Sequence, residues 1–206
     1  MTSREKILDA AVTVFARKGR NGAHMEEIAA EASINKAMIY YIFHGKDELY
    51  QEVIKKVFTD MYAKALPHNE ENRSKGLEPR ERLEALIDEM FDSFSGNQNF
   101  TRILIDAMIN GVNEITAAMK HCGDVYGEDA LMNEFSAILA SEGAAGSFRK
   151  VDADQVGLSI YGMVLIYYFS RPLSDVLGIV YTDEAAFLEQ RKKSIIDLIL
   201  NGVLAR

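Results

Sequence analysis

The sequence predicts an all-α protein, with three short helices at the N-terminus joined through a fourth to a larger helical remainder. Three observations lead there. Apolar residues recur three and four apart along most of the chain, the period of a helix with one buried face. No segment alternates with period two for long enough to form a strand. Only Pro67, Pro79 and Pro172 interrupt the 206 residues, so few positions forbid helical hydrogen bonding. With 48% hydrophobic and 26% charged residues, the chain can bury a sizeable core.

The elements follow in order. Thr2-x-x-Glu5 is a capping-box pattern, in which each side chain satisfies a free backbone donor of the first turn. Ile7, Leu8, Ala11, Val14 and Phe15 continue that helix, and Gly19 is placed to end it. Met25, Ile28, Ala29 and Ala32 mark a second, short helix. Asn35 caps a third, with Ile39 and Phe43 on one face. Gly45 breaks it. Asp47 and Glu48 suit the positive end of a fourth helix, expected to run to about Leu66.

The polar stretch from Pro67 to Glu81 has no apolar period and reads as a long connection. Pro79 then opens a helix striped by Leu83, Leu86, Ile87, Met90, Phe91 and Phe94. Further helices fit 99–110, 112–122 and 128–141, before a loop over 141–152. Asp152-x-x-Gln155 opens an apolar helix to about Arg171, and Thr182 opens the last, to about Leu204.

Charge and cysteine usage narrow the function. The net charge of −8 argues against a general nucleic-acid coat. Residues 1–50 hold seven basic and seven acidic residues, so the remainder carries the entire excess. A polyanion would therefore dock on the N-terminal part. Cys122 is the only cysteine, which rules out an intrachain disulfide. Asp9 interrupts the apolar run after Leu8, so no secretory signal is expected. The uncharged run from Gln155 to Ser170 is too short for a membrane span. A cytoplasmic protein with no membrane partner is expected.

Three short helices, the second and third joined by "ASIN", follow the helix-turn-helix plan, whose third helix enters the major groove. With Ile39 and Phe43 turned to the core, Lys36, Ala37, Tyr40 and Tyr41 point away. A lysine donates to guanine O6/N7 or phosphate, and Ala37 admits close approach to a thymine methyl. Tyrosine hydroxyls reach phosphate oxygens without needing positive charge.

The run "REKILDAAVTVFARKG" followed by "MEEIAAEASINKAMIYYIFHGKDELY" resembles the DNA-binding domain of the TetR (tetracycline repressor) family. The resemblance implies base or groove contacts for Lys36, Ala37 and Tyr40, with Met38 and Tyr41 flanking the backbone. It also implies a phosphate contact for Lys46; a ring nitrogen of His24 can still serve phosphate, and Arg4 either binds phosphate from the start of the first helix or is a surface arginine. Several positions depart from the family's pattern. Ser33 stands where glycine is usual in the turn, His24 where Ser or Thr caps the second helix, and Ile42 where a polar residue is common. Glu26, at the DNA-proximal end of that helix, repels phosphate unless it accepts from cytosine N4.

The expected domains are 1–50, for DNA, and 51–206, a helical effector-binding and dimerisation domain. Phe91, Phe94, Phe100, Met108, Met119, Phe135 and Tyr161 are candidates for an apolar cavity. Phe91, Tyr126 and Tyr161 are singled out as lining a site for a small apolar or amphipathic effector. Asp88, Asp92 and Asp106 either favour a cationic ligand or face water. The apolar helix around Leu165, with Gly157 and Gly162, and the C-terminal helix around Leu198 are expected to form a homodimer; the resemblance implies a four-helix bundle there.

The whole reads as a ligand-responsive, dimeric repressor of a pseudo-palindromic DNA operator. The alternative is a helical small-molecule-binding or scaffolding protein whose helix-turn-helix has lost DNA binding. No catalytic constellation stands out, the four histidines show no two-ligand metal spacing, and no cofactor is expected. His121-Cys122 points about 100° apart on a helix. "GAAG" at 143–146 lacks the strand and lysine of a phosphate cradle.

Overall fold

The computed structural model describes residues 1–127, 134–139, 148–171, 176, 178 and 183–203. The side chains of residues 68–70, 72–74 and 203 stand outside that description. Among the described residues the regular structure is helical, without a β-sheet. The helices are α1 (Ser3–Gly22), α2 (Met25–Ala32), α3 (Lys36–Phe43), α4 (Lys46–Ser74), α5 (Pro79–Ser95), α6 (Gln98–Asn110), α7 (Val112–Tyr126), α8 (Glu134–Leu139), α9 (Ala153–Ser170) and α10 (Glu184–Val203). The "GAAG" run, Pro172 and Thr182 lie outside the described residues, as do parts of the 128–141 helix and the 141–152 loop.

Local chemistry accounts for the helix ends. Thr2 and Glu5 form the expected reciprocal cap on α1. Gly19 leaves helical geometry at φ 68°, ψ 174°, which ends the first run of α1 at a kink, beyond which a short helical piece continues to Gly22. Asn35 Oδ1 accepts from Ala37 N–H at 2.9 Å, a cap worth about 1 kcal/mol. Asp152 caps α9 through Asp154 and Gln155 N–H. The start of α10 is held by Asp183, whose Oδ1 accepts from Ala185 and Ala186 N–H at 2.9 and 3.2 Å.

One connection differs from expectation. The stretch after Leu66 is not a loop, because α4 continues through Pro67 to Ser74. Proline removes one hydrogen bond there without stopping the helix. A polar helix carries no apolar period, so periodicity is silent over those residues.

The chain divides into two compact units, Met1–Lys64 with Phe94–Glu128, and Ala65–Ser93 with Asp129–Arg206. In the first, Ile7, Ala11, Val14, Ile28, Ile39, Leu49, Tyr50 and Ala107 are fully buried. Phe15 meets Tyr50 edge-on at 5.0 Å, and Phe58 meets Phe100 at 5.7 Å. Phe94 and Phe100 are therefore core of this unit, whereas Met108, a cavity candidate from sequence, is exposed.

In the second unit, Leu83, Ile87, Phe91, Phe135, Ile138, Ile160, Val164 and Tyr167 are buried. Gly157 is buried beside Phe135 within its own chain, and a Cβ there would make an ordinary contact at 3.5 Å. A Cβ on Gly162 would meet nothing within 4 Å. Arg171 and Tyr167 both bond to Glu184, at 2.6 and 2.9 Å, and tie α9 to α10. No described helix is long and apolar enough to cross a membrane.

Candidate nucleic-acid interface

The turn between α2 and α3 decides how α3 is presented. Ser33 adopts the left-handed conformation, φ 53°, ψ 43°, and closes α2 through its N–H to the Ala30 carbonyl at 3.1 Å. Ile34 N–H reaches back to Ala29 at 3.0 Å. A side chain in that conformation is strained, which is the reason glycine is common at such a position. His44, φ 54°, ends α3 in the same way.

Ile39 and Phe43 anchor α3 in the core, at 0% and 1% exposure. The opposite face is open. Tyr41 is 81% exposed, Tyr40 44% and Met38 43%, and Ala37 is also exposed. Tyr40 and Tyr41 are thus not packing aromatics. The ammonium of Lys36 lies 5.6 Å from the Tyr40 ring centre, and Ile42 is half-buried.

The positive charges around this edge are largely spoken for. Lys36 pairs with Glu26; the lysine holds the carboxyl below its ordinary range, and the carboxylate holds the ammonium above its own. Lys18 pairs with Glu27 and depresses it likewise. Arg4 pairs with Glu52 and lies over the Phe43 ring at 5.3 Å. Lys46 donates to the Ala23 carbonyl at 3.3 Å, which leaves it further N–H donors for an anion at the start of α4. His24 is exposed at the start of α2, and its backbone N–H donates to Glu27 at 3.3 Å. Glu26 and Lys36 stand side by side on the edge, where the carboxylate suits cytosine N4 and the ammonium guanine.

A polar cluster behind this domain has no counterpart among the sequence expectations. Arg20 bonds Glu114 at 2.9 Å, Asp47 at 3.2 Å and the Asn110 carbonyl at 3.3 Å. Asp106, a candidate from sequence for ligand or solvent, accepts from Tyr50 Oη at 2.6 Å, Arg20 N–H at 3.0 Å and Asn110 Nδ2 at 3.2 Å. Burial, reinforced by Asp106, keeps the Tyr50 hydroxyl protonated far above its ordinary range. Apart from Asn110 and Asp106, four residues apart on α6, the partners lie 27 to 94 residues apart in sequence, so no local pattern could have paired them.

The candidate effector residues are placed as follows. Phe91 is buried in the second unit, where Tyr168 Oη donates to its carbonyl at 3.5 Å. Tyr161 meets Phe135 edge-on at 5.7 Å in that unit. Tyr126 belongs to the first unit and stacks on Tyr62 at 6.0 Å. On α9 and α10, Leu198 is 63% exposed and Leu165 half-buried. Cys122 is buried.

Comparison with known proteins gives two family matches. Residues 7–53 match the model of bacterial regulatory proteins of the tetR family, and residues 79–199 match a tetracyclin repressor-like C-terminal domain. The HTH-type transcriptional repressor SCO4008 of Streptomyces coelicolor is 32% identical over 114 residues, 55% of this chain and 54% of that protein. The negative regulator of the biofilm operon icaADBC, IcaR, of Staphylococcus epidermidis is 31% identical over 71 residues, 34% of this chain and 38% of IcaR. The chain thus spans about half the length of the first of these relatives and less of the second. Among solved structures, FadR of Bacillus subtilis in complex with stearoyl-CoA superposes with a TM-score of 0.71 at 19% identity, covering 96% of this chain and 98% of FadR. SCO4942 of Streptomyces coelicolor gives 0.66 at 20%, covering 98% of both chains. Identities this low establish the fold.

Proposed function

This chain belongs to the tetR family of bacterial regulatory proteins, and from that premise we propose a dimeric repressor that leaves its DNA operator when a small molecule binds. One observation carries the reading. The outer face of α3 exposes Ala37, Met38, Tyr40 and Tyr41 together beside a half-buried Lys36, while Ile39 and Phe43 fix the helix from behind. Tyrosines on such an edge bond phosphate by their hydroxyls, and Lys46, His24 and Arg4 add phosphate contacts at its margins. Residues 1–50 are the DNA-reading part, and 51–206 bind effector and partner.

Dimerisation rests on the open faces of α9 and α10. Leu158 and Ile166 are 67% and 55% exposed, with Gly162 between them, and Leu198 is exposed on α10. Leu165 borders the same surface. A two-fold dimer would place two α3 helices in successive major grooves, ~34 Å apart. Effector held by the second unit, with Phe91 and Tyr161 among its aromatic residues, favours a state whose α3 helices are wrongly spaced. That coupling is worth about 1–3 kcal/mol in regulators of this kind. FadR's bound stearoyl-CoA supports an effector role for this fold, not the same ligand.

Selection of random duplexes with the purified protein tests the reading, which expects an enriched inverted repeat. A pool without enrichment would refute it in favour of a helix-turn-helix that no longer binds DNA. The pairing of Glu26 with Lys36 is the observation on that side.

A further inference from the structure

Charged groups of the second unit mostly find an opposite partner. Arg82 lies 3.2 Å from Glu134, Arg171 2.6 Å from Glu184, and Lys192 3.5 Å from Asp88 and 3.0 Å from Glu189. Among the described residues two side chains here keep buried polar atoms without a hydrogen-bond partner: Arg191 on α10, whose Nε has none although its other end donates to the Met163 carbonyl at 2.6 Å, and Glu89 on α5. Both of its carboxylate oxygens are sealed from solvent and neither accepts a hydrogen bond. Its electrostatic neighbours are two further acids, Glu134 on α8 and Asp92 on α5. Arg82, two turns earlier on the same face of α5, is committed to Glu134, itself only 3% exposed. A buried carboxylate in acidic company is costly unless a cation or a proton joins it.

We propose that Glu89 is the counter-ion of a buried site for a cationic organic ligand, a protonated amine or amidinium on an apolar body. This deepens the effector reading above and rests on it. The apolar part follows from the surroundings, since Leu86, Met90 and Phe91 on α5 and Phe135 beside Glu134 are all buried. A neutral or anionic ligand would bring the carboxylate no counter-charge and leave it to its proton. A metal ion fits poorly, because no group of three or more His, Cys, Asp or Glu side chains among the described residues is arranged to hold one. Burial, with Glu134 and Asp92 nearby, pushes the Glu89 pKa up to about 7. Without a cation the carboxyl keeps its proton to near neutrality, so cation uptake releases that proton.

The full chain is melted at pH 8 with matched series of n-alkyl amines, alcohols and carboxylates from butyl to decyl, and with benzamidine against benzamide. Amines or benzamidine are expected to raise the Tm saturably, and the neutral and anionic members are not. Glu89→Gln should weaken cation binding at least tenfold, whereas Glu89→Asp should retain the preference for cations. In the unmodified protein, affinity should fall as pH drops from 8 to 6, a readout that needs no variant. Failure of every cation to stabilise, equal stabilisation by the alcohols, or unchanged binding in Glu89→Gln would overturn the proposal. The two readings fail separately. A cation-insensitive protein that still selects a duplex removes only the ligand class, and cation binding without duplex selection removes only the regulator.

Discussion

Asp106 holds a buried hydroxyl and a backbone donor together, and removing it should be expensive. In Asp106→Ala, Tyr50, whose ring is fully buried, loses the acceptor at 2.6 Å, and Arg20 N–H loses the one at 3.0 Å. Each stranded donor costs about 1–3 kcal/mol, less where water reaches it, as it does near the part-buried Arg20. The sum is about 3 kcal/mol, or a Tm drop of about 6–12 °C for a chain of this size. Tyr50→Phe alone removes one bond to a charged acceptor, about 1.5–2 kcal/mol. In the double variant no hydroxyl is left to strand, so its loss should fall short of the summed single losses by about 1.5 kcal/mol. Urea melts of the four proteins measure this coupling. A coupling under about 0.5 kcal/mol, the spread of unrelated sites, would refute the account of Asp106 as the shared acceptor.

Four further outcomes are expected. Tyr40→Ala and Lys46→Ala should each weaken operator binding about tenfold, roughly one lost hydrogen bond, with Lys46→Ala also lowering the salt slope by about one; titrations at several salt concentrations with unchanged affinity for both would remove the groove assignment. Leu198→Asp should yield monomers by sedimentation, and monomers of the unmodified protein would overturn the dimer. Ser33→Gly relieves a left-handed residue and should stabilise by up to about 1 kcal/mol in denaturant melts, a loss of stability being the contrary result. Glu89, raised from 4.5 to about 7, binds its proton more tightly folded than unfolded, so stability should fall as pH rises across that window. At about 1.36 kcal/mol per pH unit the full penalty approaches 3 kcal/mol above pH 7. Glu89→Gln should flatten the profile of Tm against pH, with some of the gain lost to the buried amide's own needs; parallel profiles would contradict it.

Most of the helices and the reading edge are legible in sequence because their causes are local. A capping side chain acts within three residues, and an apolar stripe repeats within a turn. Thr2, Asn35 and Asp152 therefore mark helix starts, and Ile39 with Phe43 orient α3. Locality fails where a helix lacks an apolar face, as in α4 beyond Leu66. It fails too for Gly157, which is buried beside Phe135, 22 residues earlier in the numbering.

What the sequence by itself determined is the helical architecture, the helix-turn-helix and the side chains that α3 turns outward. Tertiary structure decided which charges are answered. No sequence pattern brings Asp47, Asn110 and Glu114 to Arg20, and Lys36 reads as a donor to DNA until Glu26 meets it. Glu89 stands out in no sequence pattern, and only the fold encloses its carboxylate without a donor. A charge's cost depends on solvent access and on partners brought from distant positions, and folding alone sets both.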